Sequence, residues 1–514
     1  MQEIPTLSHT MPRPAPERSS RRLVVASHRG PIEYYRDRSR HLRARHGSGG
    51  LVTALTGLAP LVDLSWVAAA MTEADREVAA RHGARARVSL GTGKCWLRFV
   101  TIPEETYDLH YSIVSNPILW FVQHSLCDEF RSPEMQRQLP RAWEEGYLPV
   151  NRLFAQAVAK ELQGSQSSPF VMVQDYHLYM CSSYLRALSP SAVVQHFVHI
   201  PWPAPAVWAE MPREYVASIC RSLLEADVVG FQTRTDAHNF LATCHRFLGS
   251  ALIDFDRSRA RVKGRRTRVK SYPISVDVLG LRQRMRSPEV AAYRKRLAGL
   301  RARHTIVKVD RLDPIKDIAT GLEAFDLLLR QHPELIGEIK MLAFLVPSRE
   351  TVPQYEKYAD DVRRRVAEIN ARYGNAEWRP IEAFEENNYP QALAGMSLYD
   401  VLLVNSVADG MNLVSKEGPV VNQRDGVLVL SRGAGSYAEL RSGALGVEPR
   451  DVEGTAKALW QALNMPAEEK RERARRLRNA VERHDLRAWL RDQLQDLEEI
   501  ASQRETVAAA GQAG

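Results

Sequence analysis

The sequence predicts an α/β protein built from two doubly wound parallel sheets. Short runs dominated by Val, Leu, Ile and Phe recur along the chain, and segments with helical apolar spacing, such as 317–333, lie between most of them. Continuous apolar strands that alternate with helices are typical of parallel sheets covered on both faces. A chain of 514 residues is also too long for one core and suits two domains.

Eight of these runs are predicted as strands. In chain order they are 22–27, 170–175, 193–200, 226–232, 304–312, 339–346, 400–406 and 426–431. The domain boundary is placed near 271–278, ahead of the charged helical stretch 282–303. The predicted organisation is a disordered tail 1–20, an N-terminal domain 21–275, a C-terminal domain 276–475, a C-terminal helix 476–503 packing back toward the N-terminal domain, and a disordered tail 504–514.

Composition excludes several classes of protein. Apolar residues make up 44% and charged residues 25% of the chain, as in ordinary soluble proteins. The five cysteines form no CxxC pair, which favours reduced thiols over a disulfide framework or a zinc site. The first residues lack the apolar region of a signal peptide, and no run approaches the roughly 18 apolar residues of a membrane helix. We therefore expect a cytoplasmic protein with no membrane partner.

The net charge of +9 raises the question of a nucleic-acid partner. Between Arg257 and Lys270 the chain carries eight basic residues and no acidic one, nearly the whole excess. The alternation around Lys263-Gly264 indicates a two-stranded ribbon with solvated faces. A polyanion site is the alternative. We favour the solvated hairpin and expect no nucleic acid.

Chemically distinctive side chains follow the predicted strands, at the ends where open α/β sheets bind ligands. They are Arg29, Asp175, His199, Arg311, Arg349 and Asp409. One such coincidence would be weak evidence. Six at the carboxyl edges of two sheets are hard to explain by packing, so we expect a ligand site there.

The segment 401–422 carries the strongest single signal. Its apolar strand leads through a turn with Asp409 to a helix beginning near Asn412, Leu413 and Val414, with Glu417 one turn later. Backbone amides at a helix N-terminus suit a phosphate. Glu417 could accept hydrogen bonds from both ribose hydroxyls, and Asp409 could bind sugar hydroxyls. The alternative is that Asp409 and Asn412 are simple turn and capping residues.

Two cations precede this segment in "VDRLDPIKD". Arg311 and Lys316 lie five residues apart across a turn that Pro314 stiffens, and both can face one diphosphate. An isolated pair of this kind would more often be two surface charges. The neighbouring 401–422 segment favours the diphosphate interpretation.

The N-terminal half contributes weaker signals. The glycine-rich stretch 47–51 can approach a phosphate but lacks both the G-x-G-x-x-G spacing and a Walker lysine. His199, between a strand and two prolines, is a better catalytic candidate than His177. Tyr111 and Trp120 are either core residues or donors to a phosphate beside a cation such as Arg29. No HExxH, Asp cluster or G-x-S-x-G is present, so neither a metal site nor a serine hydrolase is supported.

Taken together, these motifs resemble the trehalose-6-phosphate synthases, and the similarity runs from about Arg22 to Leu497. The family consists of retaining glycosyltransferases of GT-B architecture, with two Rossmann-like domains facing a central cleft. The motifs that carry the resemblance are "GSGGL", "SNPILW", "DYHL", "HIPWP", "DVVGFQT", "DRLDPIK" and "DGMNLVSKE". The stretch "KEGPVVNQRDGVLVLSRGAG" is similar to actinobacterial members, some of which favour GDP-glucose over UDP-glucose.

The resemblance implies a role for each matching residue. The donor would be bound by Gly50, Arg311, Lys316, Asp409, Asn412, Leu413, Val414 and Glu417. The acceptor, a hexose 6-phosphate, would be bound by Arg29, Trp66, Tyr111, Trp120, Asp175 and Arg349. Catalysis would rest on Asp175, His199, Arg311 and Lys316, without a protein nucleophile. No cofactor is expected, because the nucleotide sugar is itself a substrate. The oligomeric state stays open, a homo-oligomer included.

Several positions depart from the usual family pattern. Gln174 replaces the first histidine of "HDYHL", His28 the asparagine of "SNR", and Ala408 the arginine before "DGMNL". "DPIK" and the "NS" before Ala408 resemble validoxylamine-phosphate synthases, pseudo-glycosyltransferases that couple a cyclitol nucleotide to an aminocyclitol phosphate. Three hypotheses remain open: a synthase of trehalose 6-phosphate, the same scaffold with another acceptor or a pseudo-glycosyl donor, and a catalytically silent sugar-phosphate sensor.

Overall fold

The computed structural model describes residues 21–47, 50–59, 62–91, 93–130, 133–164, 168–349 and 352–512. Within these ranges the strands form two large sheets and one separate hairpin. The strands are Arg22–Ala26 (β1), Ile32–Arg36 (β2), Leu42–His46 (β3), Asp63–Ala69 (β4), Arg85–Leu90 (β5), Gly93–Val100 (β6), Phe170–Gln174 (β7), Val193–Phe197 (β8), Val228–Phe231 (β9), Leu252–Asp254 (β10), Arg259–Val262 (β11), Arg265–Ser271 (β12), His304–Arg311 (β13), Ile339–Val346 (β14), Ile381–Phe384 (β15), Val401–Val404 (β16), Val427–Ser431 (β17) and Leu445–Val447 (β18).

Helices connect most of these strands. They are Gly50–Thr56 (α1), Glu73–Arg81 (α2), Glu104–Asp108 (α3), Trp120–Gln123 (α4), Cys127–Phe130 (α5), Pro133–Arg141 (α6), Leu148–Leu162 (α7), Cys181–Leu188 (α8), Pro205–Trp208 (α9), Arg213–Leu223 (α10), Arg234–Phe247 (α11), Val278–Arg284 (α12), Pro288–Ala298 (α13), Ile318–Gln331 (α14), Pro353–Tyr373 (α15), Tyr389–Met396 (α16), Val414–Val421 (α17), Tyr437–Leu440 (α18), Val452–Leu463 (α19), Ala467–Arg483 (α20) and Leu486–Gln512 (α21). Leu109–Leu119 and Ala142–Tyr147 form π-helical turns, and Tyr176–Leu178, Pro314–Lys316 and Pro333–Leu335 form 3₁₀ turns.

The N-terminal sheet has the strand order β10-β11-β12-β9-β8-β7-β1-β4-β6-β5. Its centre, from β12 through β6, is parallel, and antiparallel strands occur at the two edges. Every residue of β7 and β8 is buried, because helices cover both faces of the sheet. Two apolar clusters, one on each face, form the core of this domain.

The C-terminal sheet has the order β15-β14-β13-β16-β17-β18, and all of its pairings are parallel. The order reverses beside β13, where connections leave toward both sides of the sheet. Such a switch point opens a crevice beyond the carboxyl ends of the strands, where ligands bind in doubly wound folds. The ends of β13 and β16 meet there. All eight runs predicted as strands are strands, and the α/β prediction is confirmed.

The last helix, α21, leaves the C-terminal domain and packs on the N-terminal one. Trp489 and Leu497 are buried in an apolar cluster of the N-terminal domain, and Trp489 Nε1 donates to the Tyr272 carbonyl over 3.0 Å. The disordered tail predicted for 504–514 is wrong for residues 504–512, which continue α21. Arg504 also donates to the carbonyl of Ala192, the residue just before β8, and so links this turn of the helix to the N-terminal domain. Residues 1–20 lie outside the described residues.

The basic stretch forms the predicted hairpin. β11 and β12 pair in antiparallel register across Lys263 and Gly264, both of which have positive φ, at 47° and 85°. Arg265 is paired with Glu225 at 3.2 Å, and Lys270 with Asp496 at 3.1 Å, so part of the charge is compensated within the chain. Within the described ranges no helix is both long and apolar enough to cross a membrane.

Candidate active site

The carboxyl ends of the two sheets approach each other at Arg349. This residue follows β14 in the C-terminal domain, yet its guanidinium carbon lies 3.8 Å from the ring centroid of Trp120 in the N-terminal domain. Its Nη2 donates to the Tyr176 hydroxyl over 3.3 Å, and its Nη1 donates to the Tyr355 hydroxyl. A guanidinium over an aromatic face is held by a cation–π interaction. The arginine is therefore fixed between the domains.

Asp313 joins Arg349 to Arg311. Its side chain is fully buried, and one oxygen, Oδ2, accepts from Arg349 Nη1 at 3.3 Å and from Arg311 Nη2 at 3.4 Å. Arg311 also faces the Trp120 ring, at 5.8 Å. The predicted donor-side and acceptor-side arginines thus share one carboxylate and one indole. Sequence reasoning missed Asp313, although it lies inside the quoted "RLDPIK" motif.

Tyr111 and Arg29 lie on the N-terminal side of the same site. Burial acts to raise the pKa of the Tyr111 phenol, but the guanidinium groups of Arg29 and Arg349 outweigh it and lower that pKa below its usual value. Three positions that the sequence placed on the acceptor phosphate are therefore close together. Tyr111 is held in the π-helical segment 109–119, a conformation that occurs often at functional sites.

A stack of rings that the sequence did not predict supports Tyr111. The His28 ring lies parallel to Tyr111 at 5.0 Å and to His177 at 4.6 Å, and Tyr107 stacks on Tyr111 at 5.3 Å. Burial lowers the pKa of His28 well below its usual value, so the ring is neutral. The histidine at position 28, where the family usually has an asparagine, was visible in the sequence. Its stacking partners were not, because they come from distant segments of the chain.

The structure corrects the role predicted for Trp66. Its side chain is 0% exposed within β4, packed in an apolar cluster. Its indole N–H is already used, since it donates to Ser27 Oγ over 2.7 Å. Ser27 in turn donates to the Arg29 carbonyl over 2.6 Å. Trp66 therefore offers no surface to an acceptor sugar and instead fixes the turn that carries Arg29.

Lys316 and Asp409 form the centre of the donor side. The ammonium of Lys316 donates to Asp409 Oδ2, and Asn412 Nδ2 donates to the same oxygen over 3.1 Å. Burial acts to raise the pKa of Asp409, but Lys316 outweighs it and holds the carboxyl ionised. Two residues predicted on different donor groups, the diphosphate and the sugar, are thus in direct contact.

The start of α17 presents unused backbone donors. Among the described residues, the N–H groups of Asn412, Leu413 and Val414 have no hydrogen-bond acceptor. Asn412, at φ 72°, turns its side chain to accept from the Ser415 N–H at 3.0 Å, so it also caps the helix. Three consecutive free amides at a helix N-terminus form a site for an anionic group.

Glu417 follows one turn later. It accepts from the Tyr389 hydroxyl at 2.8 Å, and burial raises the pKa of its carboxyl to about 7. Within the described ranges no other hydrogen bond to this carboxylate is present, so it can accept from further donors. Tyr389, at the start of α16, had no distinguishing signal in the sequence.

Asp175 and His199 end the neighbouring strands β7 and β8. The His199 backbone N–H donates to Asp175 Oδ1 over 3.1 Å. Burial raises the pKa of Asp175 to about 7, and its backbone has φ 70°. Positive φ also occurs at Arg349 and Asn412. Strained non-glycine residues of this kind cluster at functional sites.

Gly50 begins α1 on the N-terminal side, and the preceding Ser48 and Gly49 lie outside the described residues. The structure thus brings together Arg29, Tyr111, Trp120 and Arg349, and separately Lys316, Asp409 and the 412–414 amides, with Arg311 joined to the first set through Asp313. In the described part of the chain, no cluster of three or more His, Cys, Asp or Glu side chains could hold a metal ion.

Comparison with known proteins gives a consistent result. Glycosyltransferase family 20 matches residues 21–499. A trehalose-6-phosphate synthase from Mycolicibacterium smegmatis is 33% identical over 491 residues, covering 92% of each chain. The structure described as trehalose-6-phosphate from E. coli bound with UDP-2-fluoro glucose superposes with a TM-score of 0.79 at 26% identity, covering 93% of this chain and 98% of that one.

A second solved structure is an α,α-trehalose-phosphate synthase (UDP-forming) from Burkholderia xenovorans in complex with glucose-6-phosphate. It superposes with a TM-score of 0.77 at 25% identity, covering 93% of this chain and 100% of that one. The likeness extends over both domains, so the two-domain GT-B fold is confirmed. The chain belongs to glycosyltransferase family 20 and is a glycosyltransferase of the trehalose-phosphate synthase type.

Proposed function

We propose that the protein transfers glucose, with retention, from a nucleotide-activated glucose to glucose 6-phosphate and so makes α,α-trehalose 6-phosphate. The observation that carries this proposal is the set of free amides at 412–414 beside the Lys316–Asp409 pair. An anion held by these amides would lie against a lysine, and the adjacent carboxylate would be left to accept sugar hydroxyls. This is the arrangement that a sugar diphosphate requires.

The donor would bind along the carboxyl edge of the C-terminal sheet. The amides and Lys316 would hold its diphosphate, Arg311 would add a second positive charge, and Glu417 would accept from the ribose hydroxyls. The E. coli relative was solved with a UDP-linked fluoroglucose, which supports a nucleotide sugar as donor. Both GDP-glucose and UDP-glucose stay candidates.

The acceptor phosphate would bind between the domains. Arg29 and Arg349 would supply two guanidinium groups. The Tyr111 hydroxyl and the Trp120 Nε1, which has no hydrogen-bond partner within the described part of the chain, would supply further donors. The Burkholderia relative was solved with glucose 6-phosphate, which supports this class of acceptor. The shared Asp313 would set the two phosphate groups at a fixed separation.

Catalysis then depends on position and charge. Lys316, Arg311 and the helix N-terminus stabilise the diphosphate as it departs, and holding both substrates in one cleft supplies the orientation. No side chain with the geometry of a nucleophile beside a general base is required. The departing diphosphate itself can accept the proton of the attacking hydroxyl on the same face of the sugar.

The second candidate is a pseudo-glycosyltransferase on the same scaffold. The specific observation that favours it is Ala408, which places a methyl group beside Asp409 where the family commonly carries an arginine. An amine-bearing cyclitol phosphate would then replace glucose 6-phosphate as acceptor.

The test is nucleotide release by the purified protein, with GDP-glucose and UDP-glucose in turn, with and without glucose 6-phosphate, followed by mass analysis of the product. Release that requires glucose 6-phosphate and gives a disaccharide phosphate supports the proposal and identifies the donor. No release from either donor, together with turnover of an aminocyclitol phosphate and a cyclitol nucleotide, supports the second candidate. Binding of either sugar phosphate without any turnover supports a sensor and overturns both.

A further inference from the structure

The His199 imidazole lies between two glutamine side chains. Its Nε2 is 2.8 Å from Gln174 Oε1, and its Nδ1 is 3.3 Å from Gln232 Nε2. Both ring nitrogens are therefore engaged by uncharged groups. An amide presents either an oxygen acceptor or an NH₂ donor, so the orientation of each amide determines which ring nitrogen carries a proton.

The backbone fixes the orientation of Gln232. The Ile274 N–H donates to Gln232 Oε1 over 2.9 Å, and both atoms are buried. A backbone N–H can only donate, so the amide atom facing it must be the oxygen. The NH₂ group of Gln232 then faces His199, and Nδ1 must accept. Because a neutral imidazole has one proton, that proton lies on Nε2 and is donated to Gln174 Oε1.

We propose that Gln232 and Gln174 hold His199 as the neutral imidazole with its proton on Nε2, and that this residue positions the site without transferring a proton. Both glutamines are therefore positioning residues for the reaction. The positioning role rests on the proposed function, whereas the tautomer can be measured without any turnover.

The surroundings of His199 show what the fixed ring positions. Its backbone N–H binds Asp175, and its carbonyl lies against Gly410, where an added Cβ would fall 1.9 Å from that oxygen. The ring thus fixes the segment of the N-terminal domain that touches the Asp409–Gly410 turn. The Ile274 peptide that begins this chain of contacts lies in the segment joining the domains, and its carbonyl accepts from Lys416 Nζ at 2.8 Å.

Ionisable groups near the ring do not favour its protonation. His196 lies close to it and is buried and neutral, and Asp175 contacts the backbone N–H of His199 instead of its ring. Across the domain contact, Asp409 is paired with Lys316. Phe197 and Trp489 lie beside the ring, with centroids at 4.4 Å and 6.4 Å and ring planes tilted by 42° and 52°. Burial, and then His196, lower the pKa of His199 to about 3.

Nuclear magnetic resonance of [¹⁵N]histidine-labelled protein tests the tautomer directly, with His199→Gln used to assign the signals. We expect one imidazole with a protonated Nε2 and an unprotonated Nδ1. It should not titrate between about pH 8 and about pH 5.5, a range in which an ordinary histidine, with a pKa of about 6.5, would titrate. A proton on Nδ1, or a signal that titrates near that ordinary value, would overturn the proposal.

Two isosteric variants give an asymmetric prediction. In Gln232→Glu, one carboxylate oxygen still accepts from Ile274 and the other can accept from a protonated Nδ1, so His199 should become an imidazolium near neutral pH. In Gln174→Glu, the NH₂ of Gln232 still opposes a proton on Nδ1, so His199 should stay neutral. If Gln174→Glu charges the ring and Gln232→Glu does not, the assigned tautomer is wrong.

Kinetics give a second readout that a purely structural role would not produce. Glycosyl transfer passes through an oxocarbenium-like transition state, which a nearby cation destabilises. The ratio of kcat in Gln232→Glu to kcat in the wild type should therefore fall as the pH is lowered, while the corresponding ratio for Gln174→Glu stays level. Level ratios for both variants would show that His199 charge does not reach the reaction, and would overturn the positioning role while leaving the tautomer assignment and the proposed function intact.

Discussion

Lys316 and Asp409 form an ion pair at the carboxyl edge of the C-terminal sheet, with the lysine ammonium donating to Asp409 Oδ2. The contact joins the segments that follow β13 and β16, two adjacent parallel strands. Asn412, whose backbone N–H is one of the free amides that begin α17, donates from its side chain to the same Asp409 oxygen. The charge of Lys316 is therefore compensated by Asp409, and a bound diphosphate would have to share the ammonium with that carboxylate.

Replacement of Lys316 by alanine should lower kcat far more than it changes the KM for glucose 6-phosphate. The ammonium matters most when negative charge develops on the departing diphosphate, and losing one donor to a developing anion costs about 100- to 1,000-fold in kcat. Steady-state kinetics with both substrates varied will measure this. Lys316→Arg keeps the charge and should recover part of the rate. Equal losses in every kinetic parameter would contradict the assigned role.

Replacement of Arg349 by alanine should instead raise the KM for glucose 6-phosphate. A hydrogen bond to a charged group contributes about 1.5–3 kcal/mol, or roughly 10- to 150-fold in affinity. Arg349→Lys is the matched control, because it keeps the charge but loses the planar fork that contacts Asp313, Tyr176 and Tyr355 at once. An unchanged KM for the acceptor together with a raised KM for the donor would show that Arg349 binds the nucleotide sugar and not glucose 6-phosphate.

Asp313→Asn should weaken the binding of both substrates. The buried carboxylate accepts from Arg311 and Arg349 at one oxygen, and the isosteric amide removes its charge while keeping its volume. Both arginines would lose their common anchor, so the dissociation constants of the two substrates should rise together. Calorimetric titration of each substrate alone provides the measurement. A change confined to one substrate would show that the carboxylate does not couple the two arginines.

The sequence predicted the parts of this site that lie within one segment. Lys316, Asp409 and the amides of 412–414 belong to local motifs whose spacing already indicates a phosphate site. Tyr355 and Tyr389 could not be found, because each reaches the site from a helix whose docking depends on the whole fold. The resemblance alone placed Trp66 at the acceptor, and nothing in its own segment shows that its indole is buried and donates to Ser27. The tail after residue 504 read as disordered because its contacts lie on a distant loop.

Glu417→Gln should separate a stability effect from a binding effect. Burial raises the pKa of Glu417 from 4.5 to about 7, so between these values the folded protein keeps a proton that the unfolded chain has lost. The contribution of this group to stability is therefore lost as the pH rises through that window. The melting temperature of Glu417→Gln minus that of the wild type should increase from about pH 5 to about pH 8.

The same variant should raise the KM for the nucleotide sugar, since an amide binds two ribose hydroxyls less well than a carboxylate does. Tyr389→Phe serves as the control, because it removes the hydroxyl that donates to Glu417 but leaves the carboxylate in place. For the stability effect, a difference in melting temperature between Glu417→Gln and the wild type that does not vary from about pH 5 to about pH 8 would mean that the Glu417 carboxyl is ionised throughout this range.

Gly410→Ala tests the contact between the two domains. An added Cβ would fall 1.9 Å from the His199 carbonyl oxygen and 3.1 Å from the Ile200 Cα, and both are backbone atoms that cannot rotate away. The Asp409–Gly410 turn must then move away from the N-terminal domain, which separates Asp409 and Lys316 from the His199 segment. We expect kcat to fall about 100-fold, the cost of misplacing reacting groups by about 1 Å. Gly249→Ala is the matched control, because a Cβ there meets nothing within 4 Å. Donor binding alone should be nearly retained in Gly410→Ala, since Lys316, Glu417 and the amides of α17 all lie within the C-terminal domain; an equal loss of donor affinity would mean that the turn acts on the nucleotide sugar itself and not on the approach of the two domains.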